Sequence, residues 1–168
     1  MTADGLQGTA VDNFHYVRQP YTQVMGQTYT FSIYAKYGAR NWVWIGPGGA
    51  PGATAYFNVN TCVVGTVVSG TSKIETANNG FCRASITWTA TANVTDNIYI
   101  EGANADLDAD YLGSGVNDVY YWGAQLENAS VASTYIPTTT AAVYSPTLYD
   151  ILPKTFCSTC AASKLTVE

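Results

Sequence analysis

The stretch Thr28-Tyr29-Thr30-Phe31-Ser32-Ile33-Tyr34-Ala35-Lys36 decides the fold class. Tyr29, Phe31, Ile33 and Ala35 recur at every second position. In an extended chain successive side chains point to opposite faces, so this spacing predicts a strand with one apolar face. Cys82–Thr89 repeats the pattern, with Arg83, Ser85, Thr87 and Thr89 on the outward side. Tyr120–Leu126 is a third case, and its alternation predicts Trp122 in the core with Tyr121 and Gln125 facing out. Shorter candidates are Phe14–Val17, Asn41–Ile45, Ala53–Asn58, Lys73–Thr76 and Asn97–Glu101. Turn-rich segments separate them, among them Met25–Gln27, Gly46–Gly52, Asn78–Gly80 and Gly113–Gly115. Many short strands at this spacing predict an all-β antiparallel sandwich or barrel.

Composition agrees. Of 168 residues, 47% are hydrophobic and 13% aromatic, but only 11% are charged, below half of the usual quarter. Thr, Tyr, Val and Trp favour pleated, half-buried surfaces, and fifteen glycines suit tight connections. Seven basic and twelve acidic residues give a net charge of −5 with no basic cluster, so no nucleic-acid partner is expected. No apolar run is long enough to span a bilayer, so no membrane insertion is expected. Met1–Gly5 lacks the basic and apolar regions of a signal peptide. Alternation stops near Val143, so a domain is expected over residues 1–143 and an extended C-terminal arm or linker over 144–168.

Two aromatic side chains stand out. In Asn41-Trp42-Val43-Trp44-Ile45, Trp42 and Trp44 share one side of the strand and Val43 and Ile45 the other. If the aliphatic pair faces the core, both indoles are presented together, beside Asn41 and Arg40, and Tyr34 on the preceding strand extends the surface. Flat C–H faces of sugars stack on such rings, and hydroxyls bond to neighbouring amides and charges. The competing reading packs one or both indoles into the core.

Other constellations carry less. His15 is the only histidine and has no nucleophile motif beside it. Glu75, Glu101 and Glu127 are acids that a glycosidase pair could use, but no spacing singles them out. Asp106-Leu107-Asp108-Ala109-Asp110 copies the start of an EF-hand loop, yet Tyr111 stands where glycine is required. A solvated acidic loop is the simpler reading. A calcium site built from Asp106, Asp108 and Asp110 is the alternative, since adjacent carboxylates repel without a cation. Cys62 and Cys82 flank a segment that reads as a hairpin, and a disulfide between them would lock a sheet edge. Cys157 and Cys160 form a lone CxxC. The four cysteines give two disulfides, or one disulfide and free thiols, which suits an extracellular setting.

Tyr121-Trp122-Gly123-Ala124-Gln125-Leu126-Glu127, followed by Ser133-Thr134-Tyr135-Ile136-Pro137-Thr138-Thr139, is a specific motif. It resembles the end of a jelly-roll domain common in bacteriophage tail and virion proteins, of the concanavalin A-like or carbohydrate-binding-module type. Thr28–Lys36 resembles the family's early core strand, and Asn79–Arg83 stands where the family has Gly-Trp-Tyr-Arg. The resemblance implies a jelly roll that binds carbohydrate without catalysis on a virion surface (tail, fibre or capsid). Its partners would be a glycan, other virion subunits and further copies of itself. A structural decoration protein, or a module from a polysaccharide-degrading enzyme, is the alternative. Thr2–Leu6 resembles the family after its first strand, so this chain is expected to lack one edge strand or to borrow it from a neighbouring chain.

Overall fold

A computed structural model describes residues 3–49 and 52–137. The chain divides into two compact units, Met1–Ser133 and Thr134–Glu168. The anticipated boundary near Val143, the arm 144–168 and the pair Cys157 and Cys160 lie outside the described residues.

The first unit is an antiparallel β-sandwich. Its strands are β1 (Asp4–Gln7), β2 (Asp12–Phe14), β3 (Tyr16–Gln23), β4 (Thr28–Tyr37), β5 (Trp42–Pro47) and β6 (Ala55–Asn58). They continue with β7 (Val63–Val67), β8 (Thr71–Thr76), β9 (Cys82–Thr89), β10 (Val94–Ala103), β11 (Asp110–Leu112) and β12 (Asn117–Glu127). The front sheet has the order β1-β12-β4-β9-β8 and the back sheet β3-β10-β5-β6-β7, while β2 and β11 form a small third sheet. Sequence neighbours such as β3 and β4, β4 and β5, or β9 and β10 therefore sit in different sheets.

The core lies between the two sheets. Phe31, Ile33 and Ala35 of β4 and Ala84, Ile86 and Trp88 of β9 project from the front. Val43 and Ile45 of β5, Phe57 of β6 and Ile98 and Ile100 of β10 project from the back. The alternation in β4 and β9 thus places the predicted residues inside. Buried Gln23 is tied in by Tyr21 Oη and Trp88 Nε1, which both donate to its Oε1, at 3.0 and 3.2 Å.

The structure corrects four expectations. The edge beside β12 is not vacant, because Asp4–Gln7 pairs there with residues 117–121. Phe14–Val17 is not one strand, because β2 ends at Phe14 and β3 starts at Tyr16 in another sheet. The segment between Cys62 and Cys82 is not a hairpin, because β7 joins the back sheet and β8 the front. The Cys62–Cys82 disulfide exists, but it ties the β6–β7 turn to the first residue of β9 and so cross-links the sheets rather than an edge. Finally, Trp122 faces out and Tyr121 packs against the core. The register of β12 on β4 slips between Trp122 and Gln125, at Gly123, whose φ is +63°. This bulge inserts a residue, and a bulge shifts the alternation of every side chain beyond it. Leu126, not Gln125, therefore packs on the core.

Candidate functional site

The outer face of the front sheet is a grid of side chains set by strand register. One row runs Trp122–Tyr34–Arg83–Glu75 across β12, β4, β9 and β8. The next runs Gln125–Ser32–Ser85–Lys73, and a third Glu127–Thr30–Thr87–Thr71. Trp122 and Tyr34 stack with ring centroids 4.1 Å apart and planes 10° from parallel. Arg83 lies on Tyr34 as well, its guanidinium carbon 5.3 Å from the ring centre. An open cavity of about 600 Å³ borders this row, lined by Tyr34, Glu75, Thr76, Ala77 and Arg83. A smaller one of about 170 Å³ continues along Lys73, Ser85 and Thr87 to residues 130–132.

The chain after β12 builds one wall of this groove. Thr30 Oγ1 donates to the Ala129 carbonyl at 2.8 Å, and Ser133 N–H donates to Glu127 Oε2 at 3.0 Å. Gln125 Nε2 donates to Ser133 Oγ at 3.1 Å. Residues 128–133 thus fold back over the sheet, which explains why the outward polar Thr30 and Ser32 are fully buried. Their hydroxyls are satisfied, as buried polar groups require: Thr30 shares a bond with Thr87, and Ser32 Oγ accepts from Arg83 Nη2 at 3.1 Å. The motif that carries the family resemblance is therefore architectural in its Gly123 bulge, Gln125, Glu127 and Ser133.

The candidates from sequence do not form one site. Tyr34 belongs to the front sheet, whereas Trp42 and Trp44 project from the outer face of the back sheet. Trp42 and Trp44 are half-buried against Tyr56, Ala103 and Ala109. The 104–110 loop holds down this cluster, because Thr66 N–H and Oγ1 both donate to Asp106, at 2.8 and 3.0 Å. Asn41 is exposed, and its carbonyl accepts from Val59 N–H. Arg40 is committed elsewhere: its Nε lies 3.3 Å from the fully buried Asp118, and its guanidinium covers the Tyr111 ring at 3.6 Å. Its Nη groups donate to Asn104 Oδ1 and the Leu112 carbonyl. Asp118 Oδ2 also accepts from Gly8 N–H and Tyr111 Oη. Burial, then that hydrogen bond, raises the Tyr111 pKa. His15 is buried in the same knot, its ring 4.7 Å from that of Tyr111 and its Nε2 3.1 Å from two carbonyls. Arg40 is thus held in a structural knot by Asp118, Tyr111, Asn104 and Leu112.

The proposed metal triad is not assembled. Asp106 is bound to Thr66, Asp108 accepts from Asn104 Nδ2, and Asp110 sits exposed in β11. Among the described residues no three acids, histidines or cysteines converge to hold an ion. Asp106 and Asp108 are turned to separate partners and Asp110 to solvent, the arrangement of an acidic loop rather than of a converged triad.

Glu101 is the back face's unusual group. A row Tyr16–Glu101–Trp44–Tyr56 crosses β3, β10, β5 and β6. Glu101 is 6% exposed, and its Oε1 has no hydrogen-bond partner among the described residues. Burial, helped by the negative charge of Asp110, pushes its carboxyl up to about 7. Glu101, Asp106 and Asp108 in turn raise the Tyr56 phenol, after burial.

Sequence reasoning missed the groove itself. Alternation showed Arg83, Ser85 and Thr87 facing outward, but nothing local says that β8 brings Lys73 and Glu75 beside them. The arrangement, an aromatic pair next to a guanidinium, a carboxylate and a hydroxyl array, suits non-covalent recognition of a polyhydroxylated ligand. No family model matches the chain, and no curated protein matches it.

Proposed function

We propose that this chain is a non-catalytic, carbohydrate-binding jelly-roll domain of a bacteriophage-type virion protein, displayed on the particle surface as a homo-oligomer. The strand order supports the jelly-roll reading: β1-β12-β4-β9 faces β3-β10-β5-β6, as two nested Greek keys would arrange eight strands. The motif Trp122–Glu127 with Ser133–Thr139 supports the phage-type assignment. The binding reading rests on one observation, the row Trp122–Tyr34–Arg83–Glu75 along a cavity of about 600 Å³. A sugar ring packs its C–H face against the accessible part of the aromatic pair, while Arg83, Glu75, Ser85 and Thr87 bond to its hydroxyls. Each contact is weak, and several copies on one particle raise the effective affinity.

A glycan array probed with multimerised protein tests this. Binding that falls at least tenfold on Tyr34→Ala or Arg83→Ala, and survives Trp44→Ala, supports the front groove. Loss on Trp44→Ala alone moves the site to the back face, and silence across the array refutes the glycan reading. The second reading, an assembly module, is favoured by exposed Val11 (56%), Phe14 (54%), Leu112 (62%) and Val116 (53%) on and beside the β2–β11 sheet. Clustered apolar exposure of this kind marks protein contacts. Sedimentation of Phe14→Asp beside the parent chain tests it: dissociation of a parent oligomer supports docking there, and an unchanged state refutes it.

A further inference from the structure

We propose that the glycan taken by the front groove is acidic, and that Arg83 receives a sugar carboxylate of the uronic-acid type. This rests on the carbohydrate reading above and adds the ligand's chemical class. Three observations carry it.

The first is the hydrogen-bond state of Arg83. A guanidinium has five N–H donors in a rigid fork. Among the described residues Arg83 makes one hydrogen bond, from Nη2 to Ser32 Oγ; its Nε is buried without a partner, which leaves the Nη edge to a ligand. A guanidinium beside an open cavity with most of its donors unused is suited to a two-oxygen acceptor, and carboxylates match that fork bidentately.

The second is the neighbouring carboxylate. Glu75 is the cross-strand neighbour of Arg83, and both line the cavity. Glu75 nonetheless pairs with Lys73, its Oε1 2.7 Å from Nζ. The protein's own carboxylate is thus held by the lysine, and the arginine is left to the cavity.

The third is the charge distribution. Among the described residues the cations are Arg18, Lys36, Arg40, Lys73 and Arg83. Lys36, Lys73 and Arg83 project from this one face, against Glu75 and Glu127, and Glu127 already accepts the Ser133 N–H. Three positive minus two negative charges leave +1 on a face of a chain whose total is −5. The back face carries the opposite balance, with Asp106, Asp108 and Asp110 against Arg18. An acidic polymer is drawn to the front face and repelled by the back.

The test uses the full multimerised chain against three matched pairs: polygalacturonate, alginate and hyaluronate, each beside its carboxyl-reduced polymer. Dextran sulfate is added as a plain polyanion. At least one acid polymer is expected to bind at least tenfold tighter than its reduced form. Arg83→Lys, which keeps the charge and loses the fork, is expected to cut that binding about tenfold, while a cooperative melt shows that the variant still folds. Equal binding of acid and reduced polymers overturns the carboxylate assignment while the glycan site stands. Equal binding of dextran sulfate, retained in Arg83→Lys, overturns it in favour of diffuse charge attraction. No binding to any polymer, together with a silent neutral array, overturns both this proposal and the glycan reading.

Discussion

Replacing Glu101 by Gln isolates a buried carboxyl whose Oε1 has no hydrogen-bond partner among the described residues. In the folded chain burial, then Asp110, raises this group from 4.5 to about 7. The folded state therefore holds its proton more tightly than the unfolded state. Between pH 4.5 and 7 the unfolded chain releases that proton while the folded chain keeps it, so stability falls as pH rises through the window. The contribution is fully present below the unfolded value and lost above the folded one. At ~1.36 kcal/mol per pH unit the interval sets an upper bound of about 3 kcal/mol. Solvent screening near the outer face reduces this to about 1–2 kcal/mol. Glu101→Gln keeps the shape and cannot ionise. Urea unfolding of both proteins at pH 4.5 and pH 8 reads the effect as a double difference, in which the other titrating groups cancel. The parent should lose about 1–2 kcal/mol more than the variant on going to pH 8. Equal pH slopes would refute the reasoning. A variant that is less stable at pH 8 would show that the carboxylate has a partner worth more than its desolvation.

Reducing Cys62–Cys82, which closes a loop with a sequence separation of 20, should cost about 3 kcal/mol. Thermal unfolding with and without a reductant measures it, and an unchanged midpoint would show that the sheets hold together without the cross-link. Asp118→Asn should cost about 3 kcal/mol, because Arg40 loses its buried counter-charge. A smaller loss for Asp118→Asn in an Arg40→Met background would confirm the coupling in urea unfolding. Gly123→Val should cost about 1–2 kcal/mol at φ +63°. It should also alter tryptophan emission as the Trp122–Tyr34 stack shifts, and a silent spectrum with parent stability would count against the bulge.

Legibility in the sequence followed the range of the forces involved. Period two is a local consequence of pleating, so Tyr29–Ala35 and Cys82–Trp88 revealed two central strands and their core residues directly. Which sheet a strand joins is not local. Tyr34 and Trp42 are close in sequence yet lie on opposite faces of the sandwich, because β4 and β5 cross between sheets. Arg40 read as a ligand residue beside Asn41 and Trp42. Its partner Asp118 enters from β12, far along the chain, and no spacing rule connects the two. Trp122 was misplaced although a signal was present: Gly123 inside a strand pattern marks a bulge, and a bulge inverts the alternation beyond it. The disulfide partners were legible, but their role was not, since β7 and β8 divide between the sheets.

The two outer faces share a plan and differ in chemistry. Each carries a four-strand row with aromatic rings around a charged group, Arg83 in front and Glu101 behind. On the back face the 104–110 loop is pinned by Asp106 to Thr66 and closes over the half-buried indoles, so the charge is sealed in and raised in pKa. On the front face residues 128–133 cover only the Thr30 and Ser32 end of the grid. They leave the Tyr34–Arg83–Glu75 end as an open cavity with a wall on one side. A cover that stops short of the charged row turns a flat sheet into a groove, whereas one that reaches the row buries it. The same return segment is what the Gln125, Glu127 and Ser133 contacts hold in place. The sequence motif therefore bears on binding through the groove's shape, and the contacts to a ligand belong to residues of β4, β8 and β9 outside it.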